Sequence, residues 1–312
     1  MTRPPASGEA AKLPDDRDDR DDRGDWEDKA RARAIVVKIG GEVVGSGEAA
    51  VLAGDLRVLV DGGARIAIVH GGGPQATDLQ KRLGLPTTQV AGRRVTDAAT
   101  LDVTKMVLAG KLNVDLCAIL LAAGLSPVGL HGASGHVIRA TRRPPKVYPS
   151  AGPDPVDLGL VGDVTGYNLT LLETLWSAGH LPVIACLGAD ATGGIYNINA
   201  DLVGNQLAAA LRAERLFLVT STPGVLRDVN DPASRLTRLT CAEARRAITD
   251  GVVTGGMIAK LEEAMAVVDQ GVGAIHILGK LAAGDLVRAV REPGSVGTTL
   301  IGTLPTNETR RA

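Results

Sequence analysis

From Ala34 onward, short apolar runs alternate with longer stretches in which apolar positions recur every three or four residues. The runs at 34–41 (AIVVKIGG), 65–73 (RIAIVHGGG), 125–132 (LSPVGLHG), 181–188 (LPVIACLG), 215–221 (RLFLVTS), 274–278 (AIHIL) and 298–302 (TTLIG) read as strands. Helical spacing marks 48–60, where Val51, Leu52, Leu56, Leu59 and Val60 fall on one side, and also 74–84, 98–123, 169–178 and 199–214. Further helices are predicted near 241–249, 257–269 and 284–291. The stretches 136–143 (HVIRATRR) and 157–168 (DLGLVGDVTGYN) read as short β segments separated by turn residues. Strands alternating with helices predict an α/β fold, a mostly parallel sheet covered on both faces. Ligands of such sheets bind at the carboxyl ends of the strands.

Residues 1–30 break this rhythm. The repeat PDDRDDRDDRGD carries almost no apolar content, so this charged tail is expected to be disordered. The rest of the 312-residue chain is long enough for one large domain or two lobes. Hydrophobic residues make up 45% and charged residues 22%, as in a globular protein, but aromatics only 2%. The core is therefore aliphatic, and a stacking platform for single-stranded nucleic acid is excluded. A net charge of −1 provides no field that would gather nucleic acid or a membrane surface. No apolar run is long enough to span a bilayer, and the N-terminus lacks the apolar core of a signal peptide, so a cytoplasmic location is expected. Cys117, Cys186 and Cys241 are far apart and form no CxxC pair. They read as buried free thiols rather than metal ligands.

Four predicted strands end in chemically loaded residues. Lys38 lies inside the apolar run VVKIGG, where a cation is costly to bury unless an anion meets it; the alternative is an edge-strand lysine reaching water. The second strand ends in Gly71, Gly72 and Gly73, followed by Pro74. Three side-chain-free residues let backbone amides approach an oxyanion at a helix N-terminus. The loop matches neither the Walker A pattern nor GxGxxG. Asn197, Asn199 and Asp201 precede an apolar helix, with Asn199 suited to the N-cap and Asp201 to the first turn. Lys260 lies about one turn into a helix starting near Gly255 and Gly256, where it opposes the macrodipole unless an anion binds there. Two lysines, a glycine-rich turn and an aspartate point to phosphoryl transfer, which needs charge neutralisation and positioning more than covalent chemistry.

The segments VVKIGG, IVHGGGPQ, GRRVTD, MVLAGKLN, NINAD, TPGVL and GGMIAK, in this order, resemble the amino acid kinase family, most closely the branch whose acceptor is N-acetyl-L-glutamate. The resemblance spans about Ala34 to Gly302. It implies an open αβα sandwich with an acceptor-binding lobe at 31–212 and a nucleotide-binding lobe at 213–312. The implied reaction uses ATP with Mg2+ to phosphorylate N-acetyl-L-glutamate to N-acetyl-L-glutamyl 5-phosphate, in arginine biosynthesis, and the implied assembly is a homodimer. By the same resemblance, Lys38 and Lys260 neutralise the transferring phosphoryl group and Asp201 holds both lysines. Gly41 and Gly71 offer amides to phosphate; Gly72 and Gly73 contact the acceptor. Arg94 clamps the α-carboxylate, a task that suits a guanidinium fork, and Asn197 holds the acetamido end. The segment around 136–165 is expected to form part of a lid. No resident metal site is expected. The chain departs from the family at LVTSTPGVL, where Ser221 stands in place of an aspartate.

Three rivals stay open at this level. One is a family kinase for another acceptor, such as UMP, carbamate, aspartate, glutamate or a carrier-linked aminoadipate. A second is a nucleotide- or amino-acid-binding regulator without catalysis, against which the two-lysine set speaks. A third, a Rossmann oxidoreductase, lacks its glycine fingerprint.

Overall fold

The computed structural model describes residues 34–228 and 230–302; the tail at 1–30, read above as disordered, lies outside the described residues. Eight strands form the main sheet: β1 (Ala34–Ile39), β2 (Arg65–His70), β3 (Pro127–Leu130), β4 (Leu181–Ala185), β5 (Arg215–Val219), β6 (Arg238–Thr240), β7 (Ala274–Leu278) and β8 (Thr298–Ile301). Their spatial order is β6-β8-β7-β5-β1-β2-β4-β3. Every neighbouring pair is parallel except β7 with β8. Parallel strands covered on both faces need near-continuous apolar sequence. Accordingly Val36, Val37, Ile66, Ile68, Val183, Ile184, Leu216 and Phe217 are all fully buried.

The covering helices are α1 (Gly41–Val44), α2 (Glu48–Asp61), α3 (Gly73–Arg82), α4 (Ala98–Lys105), α5 (Asn113–Ala122), α6 (Leu169–Ser177), α7 (Ala200–Ala210), α8 (Cys241–Thr249), α9 (Gly256–Asp269) and α10 (Asp285–Arg291). The single helix expected over 98–123 is instead α4 and α5 joined by a π-helical stretch, Met106–Leu112. Gly110 lies within it, and glycine is among the weakest holders of regular α-helix. The wider turn is one that periodicity in sequence does not register.

A second, four-stranded sheet stands over the carboxyl edge of the first. It contains Ile138–Arg142 and Gly162–Tyr167, both expected as β segments, together with Leu187–Ala189 and Ile195–Asn197. Two small hairpins, Gln89–Val90 with Arg93–Arg94 and Lys146–Val147 with Pro155–Val156, complete this cover. Tyr148, Leu158 and Val161 form a small apolar cluster there with Val90, Val95 and Val156, separate from the main core.

Pairing of β1 with β5 carries the main sheet across residues 212 and 213 without interruption. The seam has a second tie. Asp55 of α2, buried to 5% exposure, accepts the backbone N–H groups of Gly284 (2.7 Å) and Leu286 (2.8 Å) and so caps α10.

Candidate active site

Because β1, β2, β4, β5 and β7 run in one direction, their carboxyl ends share one edge. A cavity of about 340 Å³ opens there. Lys38, Gly41, Gly71, Gly72, Gly73, Arg94, Asn197 and Asp201 all line it. Of the residues singled out from the sequence, Lys260 is not part of this wall.

Lys38 is on the central strand, with Leu218 of β5 and Val69 of β2 as its neighbours, so the edge-strand alternative is ruled out. Its side chain is 12% exposed, and its Nζ lies 2.7 Å from Asp201 Oδ1. The buried cation thus has the anion that burial demands. Gly204, one turn beyond Asp201, makes the pairing possible: a Cβ there would lie 3.0 Å from Lys38 Cβ, so α7 rests directly on the lysine stem. Asn199 caps α7 as expected, accepting the N–H groups of Asp201 (2.8 Å) and Leu202 (3.2 Å).

Two of the loop's three amides are open. Gly71, expected to offer its amide to phosphate, instead donates it to the Ile39 carbonyl (3.3 Å), whereas the N–H groups of Gly41, Gly72 and Gly73 have no acceptor among the described residues. Gln75 Nε2 donates to the Gly41 carbonyl (2.6 Å), tying the turn after β1 to the helix after β2. Gly41 and Gly72 are also required sterically. A Cβ on Gly41 would come within 2.8 Å of the Gly72 Cα, and one on Gly72 would collide with Leu108 and Leu112 of the π-helical stretch. No such neighbour constrains Gly73, beside which a Cβ would meet open space.

Arg94 is held against α3. It donates to Gln80 Oε1, to the Gly73 carbonyl (3.0 Å) and to Thr77 Oγ1 (2.6 Å). Burial lowers its pKa from the usual guanidinium value. Asn197 Nδ2 donates to Thr96 Oγ1 (3.1 Å), latching the second sheet to the segment before α4.

Lys260, half-buried on α9, approaches from β5: its Nζ donates to Thr220 Oγ1 at 3.2 Å. The expectation that Asp201 holds both lysines is therefore corrected. Asp201 is paired with Lys38, whereas Lys260 takes the hydroxyl of Thr220, just beyond β5.

Several residues around the site went unread in the sequence. Glu263, three residues beyond Lys260 and so on the same face of α9, accepts from Asn205 Nδ2 of α7 (3.4 Å). Burial, then the nearby Asp201, raises its carboxyl above the ordinary range. Arg93, Arg143 and Glu42 also line the cavity. Arg143 pairs with Asp163 (2.7 Å), and Arg93 stacks over the Tyr148 ring at 4.8 Å. The i, i+3 spacing of Lys260 and Glu263 was a signal available in the sequence; the cavity-lining positions of Glu42, Arg93 and Arg143, on short elements and a connection, were not. The cysteines are free, though only Cys186 is buried, while Cys117 and Cys241 are half-buried. Burial pushes the Cys186 thiol up to about 12, so it stays protonated and is no nucleophile near neutral pH.

A buried cation beside open amides, with a guanidinium and an amide on the facing wall, can receive a dianionic acceptor and a phosphoryl group together. Comparison with known proteins agrees in kind. The model of the amino acid kinase family matches residues 33–279. A protein named acetylglutamate kinase from Anaeromyxobacter sp. (strain K) is 64% identical over 270 residues, which cover 86% of this chain and 99% of that protein. Another of the same name from Sorangium cellulosum (strain So ce56) is 63% identical over 267 residues, covering 86% and 94%. Among solved structures, N-acetylglutamate synthase from Neisseria gonorrhoeae, complexed with coenzyme A and N-acetyl-glutamate, shares the fold at a TM-score of 0.73 and 22% identity. That match covers 90% of this chain and 62% of that one. The chain belongs to the amino acid kinase family.

Proposed function

We propose, from membership of the amino acid kinase family and from the convergence of Lys38, Asp201, the open glycine amides and Arg94 on one cavity, that the chain phosphorylates N-acetyl-L-glutamate with ATP. The product would be N-acetyl-L-glutamyl 5-phosphate, an intermediate of arginine biosynthesis, as the relatives' name implies. A γ-carboxylate oxygen attacks the γ-phosphorus, the bond from that phosphorus to the β–γ bridging oxygen breaks, and ADP leaves. The carboxylate is already ionised near neutral pH, so the step needs no general base. It needs cations and dipoles aimed at the phosphoryl oxygens.

Lys38 and the amides of Gly41, Gly72 and Gly73 supply these from the acceptor side, and Lys260 from the nucleotide side. Asp201 holds the Lys38 ammonium in place. Arg94, which lines the cavity, takes the α-carboxylate with the N–H groups it does not spend on α3, and Asn197 takes the acetamido group. Mg2+, arriving with ATP, would add charge neutralisation on the phosphates. The cavity's own carboxylates, Glu42 and Asp201, are the groups that could meet it.

The acceptor lobe is assigned to 31–212 and the nucleotide lobe to 213–312, with the second sheet as a lid. Exposed Met106, Val114 and Leu121 along α4 to α5 are apolar surface suited to pairing in a homodimer. No helix among the described residues is long and apolar enough to cross a membrane; a cytoplasmic location fits a biosynthetic role. ADP release measured across a panel of acceptors tests the reading. Turnover is expected with N-acetyl-L-glutamate well above glutamate, aspartate, carbamate or UMP. Preference for another acceptor would reassign the substrate, and no turnover with any would favour a binding regulator.

A further inference from the structure

We infer that His70 and Asn113 act as a positioning relay that fixes the Gly71–Gly72 peptide, so that the Gly72 N–H faces the acceptor. The inference rests on the reading of the glycine loop given above. His70 ends β2 and is fully buried. Asn113, itself 5% exposed, follows the π-helical stretch and begins α5.

The hydrogen bonds determine one another. Asn113 Nδ2 donates to the Val183 carbonyl at 3.0 Å, and a carbonyl can only accept, which sets the orientation of the amide. The second hydrogen of the same nitrogen points to His70 Nε2, also at 3.0 Å. Nε2 must therefore carry a lone pair, and the neutral ring bears its proton on Nδ1. Nδ1 lies 3.1 Å from the Gly71 carbonyl and donates to it. Burial lowers the His70 pKa, which keeps the ring neutral. A second proton, on Nε2, would meet the Asn113 donor head-on.

The consequence reaches the site through one peptide plane. In a trans peptide the C=O and the following N–H point in opposite directions. With its carbonyl drawn to the ring, the Gly71–Gly72 unit turns the Gly72 N–H away from it, and that N–H has no acceptor among the described residues. Leu108 and Leu112 of the π-helical stretch close the space beside Gly72, where they leave no room for a side chain. Gly129 completes the support: a side chain there would collide with Asn113 Oδ1. Stretches of π-helix often mark functional positions, and here the wider turn brings Leu108, Leu112 and Asn113 onto one loop.

The test joins a spectroscopic readout to kinetics. In the wild-type protein, ¹⁵N NMR of the imidazole should show Nδ1 protonated and Nε2 bare at pH 7; the opposite tautomer would overturn the relay. His70→Leu and Asn113→Leu should each lower kcat/KM for the acceptor about 10²-fold, the order expected when a reacting group is misplaced by about an ångström. KM for ATP should stay within about twofold, since a displaced acceptor loop leaves uniform nucleotide binding untouched. His70→Asn places an amide nitrogen near the position of Nδ1 and should recover activity to within about tenfold of wild type, because it restores the donor to Gly71. His70→Leu with wild-type kinetics, or His70→Asn as impaired as His70→Leu, would contradict the proposal. If the leucine variants do not fold, the tautomer still decides. If the wild-type protein phosphorylates no acceptor, the functional reading fails while the tautomer measurement still stands.

Discussion

Lys38 is a cation in the middle of an apolar sheet, and one carboxylate makes it tolerable. Removing that carboxylate would leave an unpaired buried charge, so Asp201 is structural and electrostatic at once. Lys260 differs, since its partner is a neutral hydroxyl and its charge is free to meet an anion. Lys260→Ala should therefore lower kcat by roughly 10²–10³, as loss of one preorganised charge partner does. KM for the acceptor should change little, and full turnover in a steady-state assay would remove Lys260 from the mechanism. Arg94 already spends three hydrogen bonds on α3, so its planar fork is preorganised. Arg94→Lys should raise KM for the acceptor about tenfold or more, because an ammonium cannot hold Gln80, Gly73 and Thr77 while also facing a carboxylate. An unchanged KM in the same assay would count against this role.

The strand–helix alternation was legible because parallel strands buried on both faces need unbroken apolar runs, and VVKIG, RIAIV and RLFLV supply them. The cap at Asn199 and the first-turn Asp201 were legible for an equally local reason. What escaped was non-local. The break at Met106–Leu112 packs Leu108 and Leu112 against Gly72, more than thirty residues away, and a partner that distant leaves no local period. The hairpins at 89–94 and 146–156 are too short to have a period. At the site, the glycine run was legible as a loop that bares backbone amides. The partner of Lys260 could not be read, because Thr220 and Lys260 lie forty residues apart and meet only in the folded chain. His70, an unremarked residue in RIAIVH, gains its meaning from Asn113, which lies on another element.

Across the whole molecule, the continuous sheet and the Asp55 cap join the parts on either side of residues 212 and 213 into one core. That core also holds His276. Its ring stacks on Phe217 at 4.5 Å, and its nitrogens meet Thr299 Oγ1 (3.1 Å) and Arg215 Nη1 (3.3 Å). Burial, then the Arg215 charge, brings its pKa down from 6.5 to about 3. The unfolded chain therefore takes up this proton as pH falls below about 6.5, while the folded chain does not. The stability is complete above that pH and declines below it, by up to about 1.4 kcal/mol per pH unit for one such group. Urea unfolding at pH 7.5 and 5.5 should show a lower midpoint at 5.5, with a smaller difference in His276→Gln; equal pH dependence in the two proteins would contradict the neutral buried ring. The central claim is that the cavity presents a γ-carboxylate to ATP. It is tested most directly by running the reaction with hydroxylamine, which traps acyl phosphates as hydroxamates. With ATP and N-acetyl-L-glutamate, ADP and the γ-hydroxamate should appear in equal amounts, and neither should form above background when glutamate replaces the acetylated acceptor. ADP released without hydroxamate, or equal turnover of glutamate, would contradict it.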